Sequence, residues 1–132
     1  MFRVVTETFA VSPQIFPSDL EAAKTLGFTL VINNRPDGEA SDQPSSMEMA
    51  AAAKEQGLDY AHIPVVGRPT TEQIAAVAAL ASRGKTLAYC RSGARSIMTW
   101  AMGELAAGHL NRRELLRLAE TAGYDLEGVL PA

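Results

Sequence analysis

Along the chain, short apolar runs alternate with longer stretches that carry helix-start signals. Phe28-Thr29-Leu30-Val31-Ile32, Tyr60-Ala61-His62-Ile63 and Thr86-Leu87-Ala88-Tyr89 each have the length of one buried strand. Residues 3–5 and 9–11 predict a small opening hairpin. Four helix starts carry the capping-box pattern, in which Ser, Thr or Asn is followed three residues later by Glu or Gln. Ser18 with Glu21, Ser45 with Glu48, Thr70 with Gln73 and Asn111 with Glu114 form these pairs. Gly27, Gly57, Gly84 and Gly123 follow the respective stretches, where a glycine suits the left-handed cap position. A further helix is expected from Ser96 or Ile97. Strands alternating with helices imply βαβ units. The expected class is α/β, with a mainly parallel central sheet flanked by helices, in a single domain over residues 1–132.

Composition narrows this reading. Of 132 residues, 47% are hydrophobic and 20% charged, so the chain resembles an ordinary globular protein rather than a disordered one. A net charge of −3 offers no broad basic footprint, and nucleic acid is not an expected partner. The longest apolar stretch, from Ala75 to Ala81, is far shorter than the ~20 residues of a membrane span. Arg3 is soon followed by Thr6, Glu7 and Thr8, which is no secretory leader. One cysteine, Cys90, allows no intrachain disulfide and fits a reducing compartment. The expectation is a cytoplasmic protein without a membrane partner. His62, His109 and Cys90 make no metal-ligand pattern, so neither metal nor cofactor is expected. Nothing in the sequence fixes the oligomeric state.

In parallel sheets, ligands bind beyond the carboxyl ends of the strands. The segments to weigh are therefore 33–44, 64–69 and 90–96. The last reads Cys90-Arg91-Ser92-Gly93-Ala94-Arg95-Ser96 and carries most of the chemistry. A short loop between a strand and a helix start turns several backbone N–H groups toward one point, and the helix dipole adds partial positive charge. Gly93 permits a backbone conformation closed to other residues. Arg95 offers a planar fork of donors to an oxyanion, which lysine cannot copy. Ser96 is expected to cap the helix and to donate to the sulfur. The same field favours the thiolate, the nucleophilic form of cysteine. Cys90 and Arg95 are thus the candidate catalytic pair. Arg91, Ser92, Gly93, Ala94, Arg95 and Ser96 are the candidate oxyanion binders.

Further motifs surround this loop. They are Val11-Ser12-Pro13-Gln14, Val31-Ile32-Asn33-Asn34-Arg35-Pro36-Asp37-Gly38-Glu39, His62-Ile63-Pro64-Val65, Ala107-Gly108-His109 and Ala122-Gly123-Tyr124-Asp125. In this order the set resembles the beta-lactamase hydrolase-like, phosphatase-like domain family, whose members are described as phosphatases or as sulfurtransferases. The resemblance runs through nearly the whole chain. It implies a fold like that of the dual-specificity phosphatases, with the nucleophile carried onto Cys90 and the anion-binding arginine onto Arg95.

Two features of the residues keep a second chemistry open. Dual-specificity phosphatases place five residues between cysteine and arginine; this chain has four, the loop size of rhodaneses, which carry a persulfide. Those phosphatases also place an Asp after an Ile-Pro-Val-like strand to protonate the leaving oxygen. Here Ile63-Pro64-Val65-Val66-Gly67-Arg68-Pro69-Thr70-Thr71-Glu72 contains no Asp. Glu72 reads more naturally as a partner of a helix dipole. Asp37, and less so Glu39, is a candidate replacement acid or base, although Pro36-Asp37-Gly38 is by itself a turn sequence. Arg35 and, more weakly, Asn34 are candidates for the anion site or its support. His62 and His109 read as structural. The primary reading is a cysteine-dependent phosphatase-like hydrolase, and the alternative is a rhodanese-like sulfurtransferase. The partner is a phosphorylated or sulfane-sulfur-bearing small molecule or protein.

Overall fold

The computed structural model describes residues 1–131. Five strands, β1 (Arg3–Thr6), β2 (Phe9–Ser12), β3 (Leu30–Asn33), β4 (Asp59–His62) and β5 (Thr86–Tyr89), form one sheet in the order β1-β2-β5-β3-β4. Only β1 runs antiparallel, paired with β2; the β2–β5, β5–β3 and β3–β4 pairings are parallel. The helices are α1 (Leu20–Thr25), α2 (Ser46–Glu55), α3 (Thr71–Ala81), α4 (Ala94–Ala107) and α5 (Arg112–Ala122). The expected α/β class and mainly parallel sheet are what the chain adopts.

Burial explains the strand order. All residues of β2, β3 and β5 are buried, as strands covered on both faces must be. Leu87 and Tyr89 join Ala10, Val31, Leu20 and Met49 on the face covered by α1 and α2. Ala88 joins Val11, Ile32, Ile97 and Leu115 on the other, where Phe9 stacks on Trp100 with ring centroids 4.8 Å apart. Connections leaving β2 and β3 run to α1 and α2, whereas the one leaving β5 runs to α4. Neighbouring strands thus send their loops to opposite faces, and the divergence opens a crevice at the carboxyl end of β5.

The capping boxes at Ser45, Thr70 and Asn111 form as expected, each side chain accepting from the N–H three residues on. Ser18 does not cap. The chain enters α1 through a tight 3-10 turn, Pro17–Asp19, closed by the Asp19 carboxylate on the Phe16 N–H at 2.7 Å. Pro17 supplies the pre-set φ and needs no acceptor, so the turn starts before Ser18. Strand β3 begins at Leu30 rather than Phe28, because the Phe28 N–H bonds back to the Ala23 carbonyl and closes α1. Gly84 is no helix cap either: α3 ends at Ala81, and a β-carbon on Gly84 would lie 2.7 Å from Thr29 Oγ1. Close approach, not a left-handed turn, requires that glycine.

Candidate active site

Strand β5 delivers Cys90 to the crevice, where it is fully buried. Its N–H reaches the Ser12 carbonyl of β2 at 3.4 Å, so the loop begins still tethered to the sheet. Gly93, at φ 94°, is the N-cap of α4, and its N–H donates to Cys90 Sγ at 3.1 Å. Helix α4 therefore starts at Ala94, two or three residues before the expected point, because the left-handed glycine completes the turn at once. Ala94 N–H donates to Ser92 Oγ at 3.3 Å. Ser96 neither caps the helix nor meets the sulfur. It is fully buried, and its hydroxyl donates to Asn34 Oδ1 at 2.8 Å. Beyond Ala94, the Arg95 and Ser96 amides in the first turn of α4 have no carbonyl behind them, as at any helix start, and they are available to an anion.

Arg95 is held from the opposite side of the crevice. Its Nη1 donates to Glu39 Oε2 at 2.8 Å and to the Val65 carbonyl at 2.9 Å, while Nη2 donates to Glu39 Oε1 at 2.9 Å. The donors left over are Nε–H and one N–H of Nη2, a second bidentate edge of the guanidinium. Glu39 in turn accepts from Arg35 Nε at 2.9 Å, and Arg35 Nη1 donates to Gln14 Oε1 at 2.9 Å. Hydrogen bonding from Arg95, with Arg35 adding, outweighs desolvation and lowers the Glu39 pKa to about 2. The Arg95 pKa is raised, first by the Glu39 bond and also by the neighbouring Cys90. Glu39 is thus a permanent anion at neutral pH, clamped between two cations.

The remaining candidates lie around this core. Asn34 is a buried brace: its amide donates to the Ile63 carbonyl at 2.9 Å, while its Oδ1 accepts from Ser96. Arg35 is buried, and its carbonyl accepts from His62 Nε2 at 2.8 Å. Asp37 faces away from the arginine network, with Oδ1 accepting the Ser46 N–H at the start of α2, at 2.8 Å. Glu72 sits in the first turn of α3, where its charge suits the helix dipole. The Arg91 side chain is exposed, and its carbonyl accepts from the Gln14 N–H at 3.2 Å. His109 pairs with Glu104 at the other end of the sheet, beside a cavity of about 490 Å³ that also borders Thr8, Phe9 and Trp100.

Three side chains matter more than their sequence signals suggested. Glu39 ranked below Asp37 as a candidate acid or base, yet it alone of the two reaches Arg95. Gln14 sits in a Pro-rich turn with no chemical signature. Tyr124, 32 residues after Ser92, donates its hydroxyl to the Ser92 carbonyl at 2.8 Å. Only its place in a recognisable motif hinted at it.

The comparisons agree with this architecture. The family model described as "Beta-lactamase hydrolase-like protein, phosphatase-like domain" matches residues 1–107. Beta-lactamase hydrolase-like proteins of Xylella fastidiosa and Agrobacterium fabrum are 34% and 32% identical over 125 and 127 residues, 92% of this chain in each case. The matched region spans only 29% of the length of these curated relatives. Among solved structures, a candidate phosphatase of Neisseria meningitidis superposes with a TM-score of 0.83 at 30% identity, covering 94% of this chain and 89% of that one. The active form of Tk-PTP superposes with a TM-score of 0.70 at 19% identity, covering 99% and 88%, and shares the fold.

Proposed function

Because the chain belongs to the beta-lactamase hydrolase-like, phosphatase-like domain family, we propose that it is a cysteine-dependent phosphatase-like hydrolase. The observation that carries this reading is the pairing of Cys90 Sγ with the Gly93 N–H, next to an Arg95 whose second bidentate edge is not taken by Glu39 or Val65. In the proposed reaction the Cys90 thiolate attacks phosphorus. The phosphorus–oxygen ester bond breaks, its electron pair leaves with the alcohol oxygen, and a thiophosphate remains on Cys90. Water then attacks the phosphorus and releases inorganic phosphate, regenerating the thiolate. Arg95 and those amides between Arg91 and Ser96 that bond neither the sulfur nor Ser92 hold the non-bridging oxygens where charge develops. Because Cys90 has no exposed surface, entry of the phosphoryl group requires side chains above it to move.

The leaving oxygen has no evident proton donor. Glu39 is ionised and doubly paired, and Asp37 is bonded to the start of α2. General acid help is worth about 10²–10⁴-fold, so its absence confines fast turnover to esters with acidic leaving groups. Rates across a series of aryl and alkyl phosphates should fall steeply as leaving-group pKa rises. A flat dependence that becomes steep in Asp37→Asn or Glu72→Gln would identify an acid and overturn this point.

The same features favour a second reading, sulfur transfer. Four residues separate Cys90 from Arg95, and thiosulfate releases sulfite, which needs no proton. In that reaction the Cys90 thiolate takes the outer sulfur of thiosulfate as a persulfide, and an external thiol or cyanide accepts it. Parallel assays of the purified protein with an aryl phosphate and with thiosulfate plus cyanide decide between the two. Turnover only in the second overturns the phosphatase reading.

A further inference from the structure

The peptide joining Ser92 to Gly93 is trans, so its carbonyl and its N–H point in opposite directions. Its N–H lies on Cys90 Sγ at 3.1 Å, and its carbonyl accepts the Tyr124 hydroxyl at 2.8 Å. One peptide plane is thus held from both sides, by the sulfur and by the phenol. The grip has a purpose, because a glycine at φ 94° leaves that plane otherwise free to rotate. Gly93 is also obliged by contact: a β-carbon there would overlap the Tyr124 hydroxyl.

Tyr124 is well anchored for such a task. Gly123, at φ 96°, ends α5, and the Tyr124 N–H returns to the Ala119 carbonyl at 2.8 Å. The Arg3 guanidinium covers its ring, 5.0 Å from the centroid, while Arg3 Nη1 donates to the Ala122 carbonyl at 3.4 Å. The edge strand, the end of α5 and the cysteine loop are thereby joined at one phenol. Burial raises the Tyr124 pKa, so the hydroxyl remains a donor through neutral pH. Tyr124 also lies outside the matched span of residues 1–107.

We propose that Tyr124 is a positioning residue that fixes the Ser92–Gly93 peptide so that the Gly93 N–H stays on the Cys90 sulfur. This rests on the reading of Cys90 as the nucleophile. Through that peptide the phenol stabilises the charged sulfur without touching substrate.

The test uses the single cysteine. Labelled with ¹³C at Cβ, Cys90 gives one resonance whose pH titration reports the thiol directly, whether or not any substrate turns over. Tyr124→Phe keeps the ring and its cover by Arg3 and removes only the bond. Its titration midpoint should lie above that of the unaltered protein, and kcat on an aryl phosphate should fall about three- to ten-fold with KM nearly unchanged. Arg3→Ala, which uncovers the ring but leaves the hydroxyl, should move the midpoint less. An unchanged midpoint in Tyr124→Phe, or an equal shift in Arg3→Ala, overturns the proposal. A shifted midpoint in a protein that hydrolyses no phosphate ester sustains it and removes the phosphatase reading instead.

Discussion

Two loops meet at the crevice and are built on opposite principles. The cysteine loop, residues 90–96, is short, and between Cys90 and Arg95 it acts through its backbone: the Gly93 N–H meets the sulfur, and the Arg95 and Ser96 amides of α4 remain available. The loop after β3, residues 34–45, is long and acts through side chains, with Glu39 gripping Arg95 and itself held by Arg35. Backbone chemistry depends on path, so residues such as Arg91 and Ala94 are replaceable there while Gly93 is not. Side-chain chemistry depends on identity, so one substitution in the long loop alters the site without disturbing the chain path.

The comparison can be broken most severely at the atoms both loops serve. Cys90→Ser should abolish turnover in either assay, because no base stands ready to ionise a hydroxyl; retained activity would remove the nucleophile from the scheme. Arg95→Lys keeps the charge but loses the fork, and kcat/KM should fall about 10²- to 10³-fold. A loss below tenfold would show that the amides alone hold the anion. Glu39→Gln sharpens the contrast, since it loosens the Arg95 side chain without touching the backbone of the cysteine loop. Its kcat/KM should fall about tenfold.

Glu39 also predicts a pH dependence. Its folded pKa, about 2, lies below the ordinary value of 4.5, so its ionised form stabilises the fold. That contribution is complete above pH 4.5 and is lost as pH falls toward 2. The stability gap between the unaltered protein and Glu39→Gln, followed by urea unfolding, should therefore be constant near neutrality and close in acid. A gap that widens in acid contradicts the sign. The smallest effect belongs to Tyr89, whose buried hydroxyl has no hydrogen-bond partner among the described residues. Tyr89→Phe should stabilise the fold, by no more than about 1 kcal/mol. A loss of stability would reveal a partner for that hydroxyl.

Much of this was legible in the sequence because local signals agree with the fold. The capping boxes at Ser45, Thr70 and Asn111 are contacts across three residues and need no tertiary knowledge. The strand Thr86–Tyr89 follows Gly84 closely and is made of β-prone residues with apolar neighbours, so its limits were plain. Ser18 failed because Pro17 offered the chain an earlier start, and Ser96 failed because its real partner, Asn34, is 62 residues away. The ranking of Asp37 over Glu39 failed for the same reason. Nothing within residues 33–45 says which carboxylate will meet an arginine 56 positions later. Contacts of that range are set by strand order, which periodicity does not encode.

Strand β5 is the last to be made yet lies at the centre, between β2 and β3. Cys90 meets Ser12 across that junction, so the site depends on closing one of the longest loops in the chain. A chain emerging from synthesis leaves the thiol open to solvent until β5 inserts. Only then do the amide, the arginine and the phenol converge on it. Burial of that one thiol is therefore a clock for folding. In a refolding time course, protection of Cys90 from a thiol-labelling reagent should coincide with the final rise in native signal and not with early helix formation.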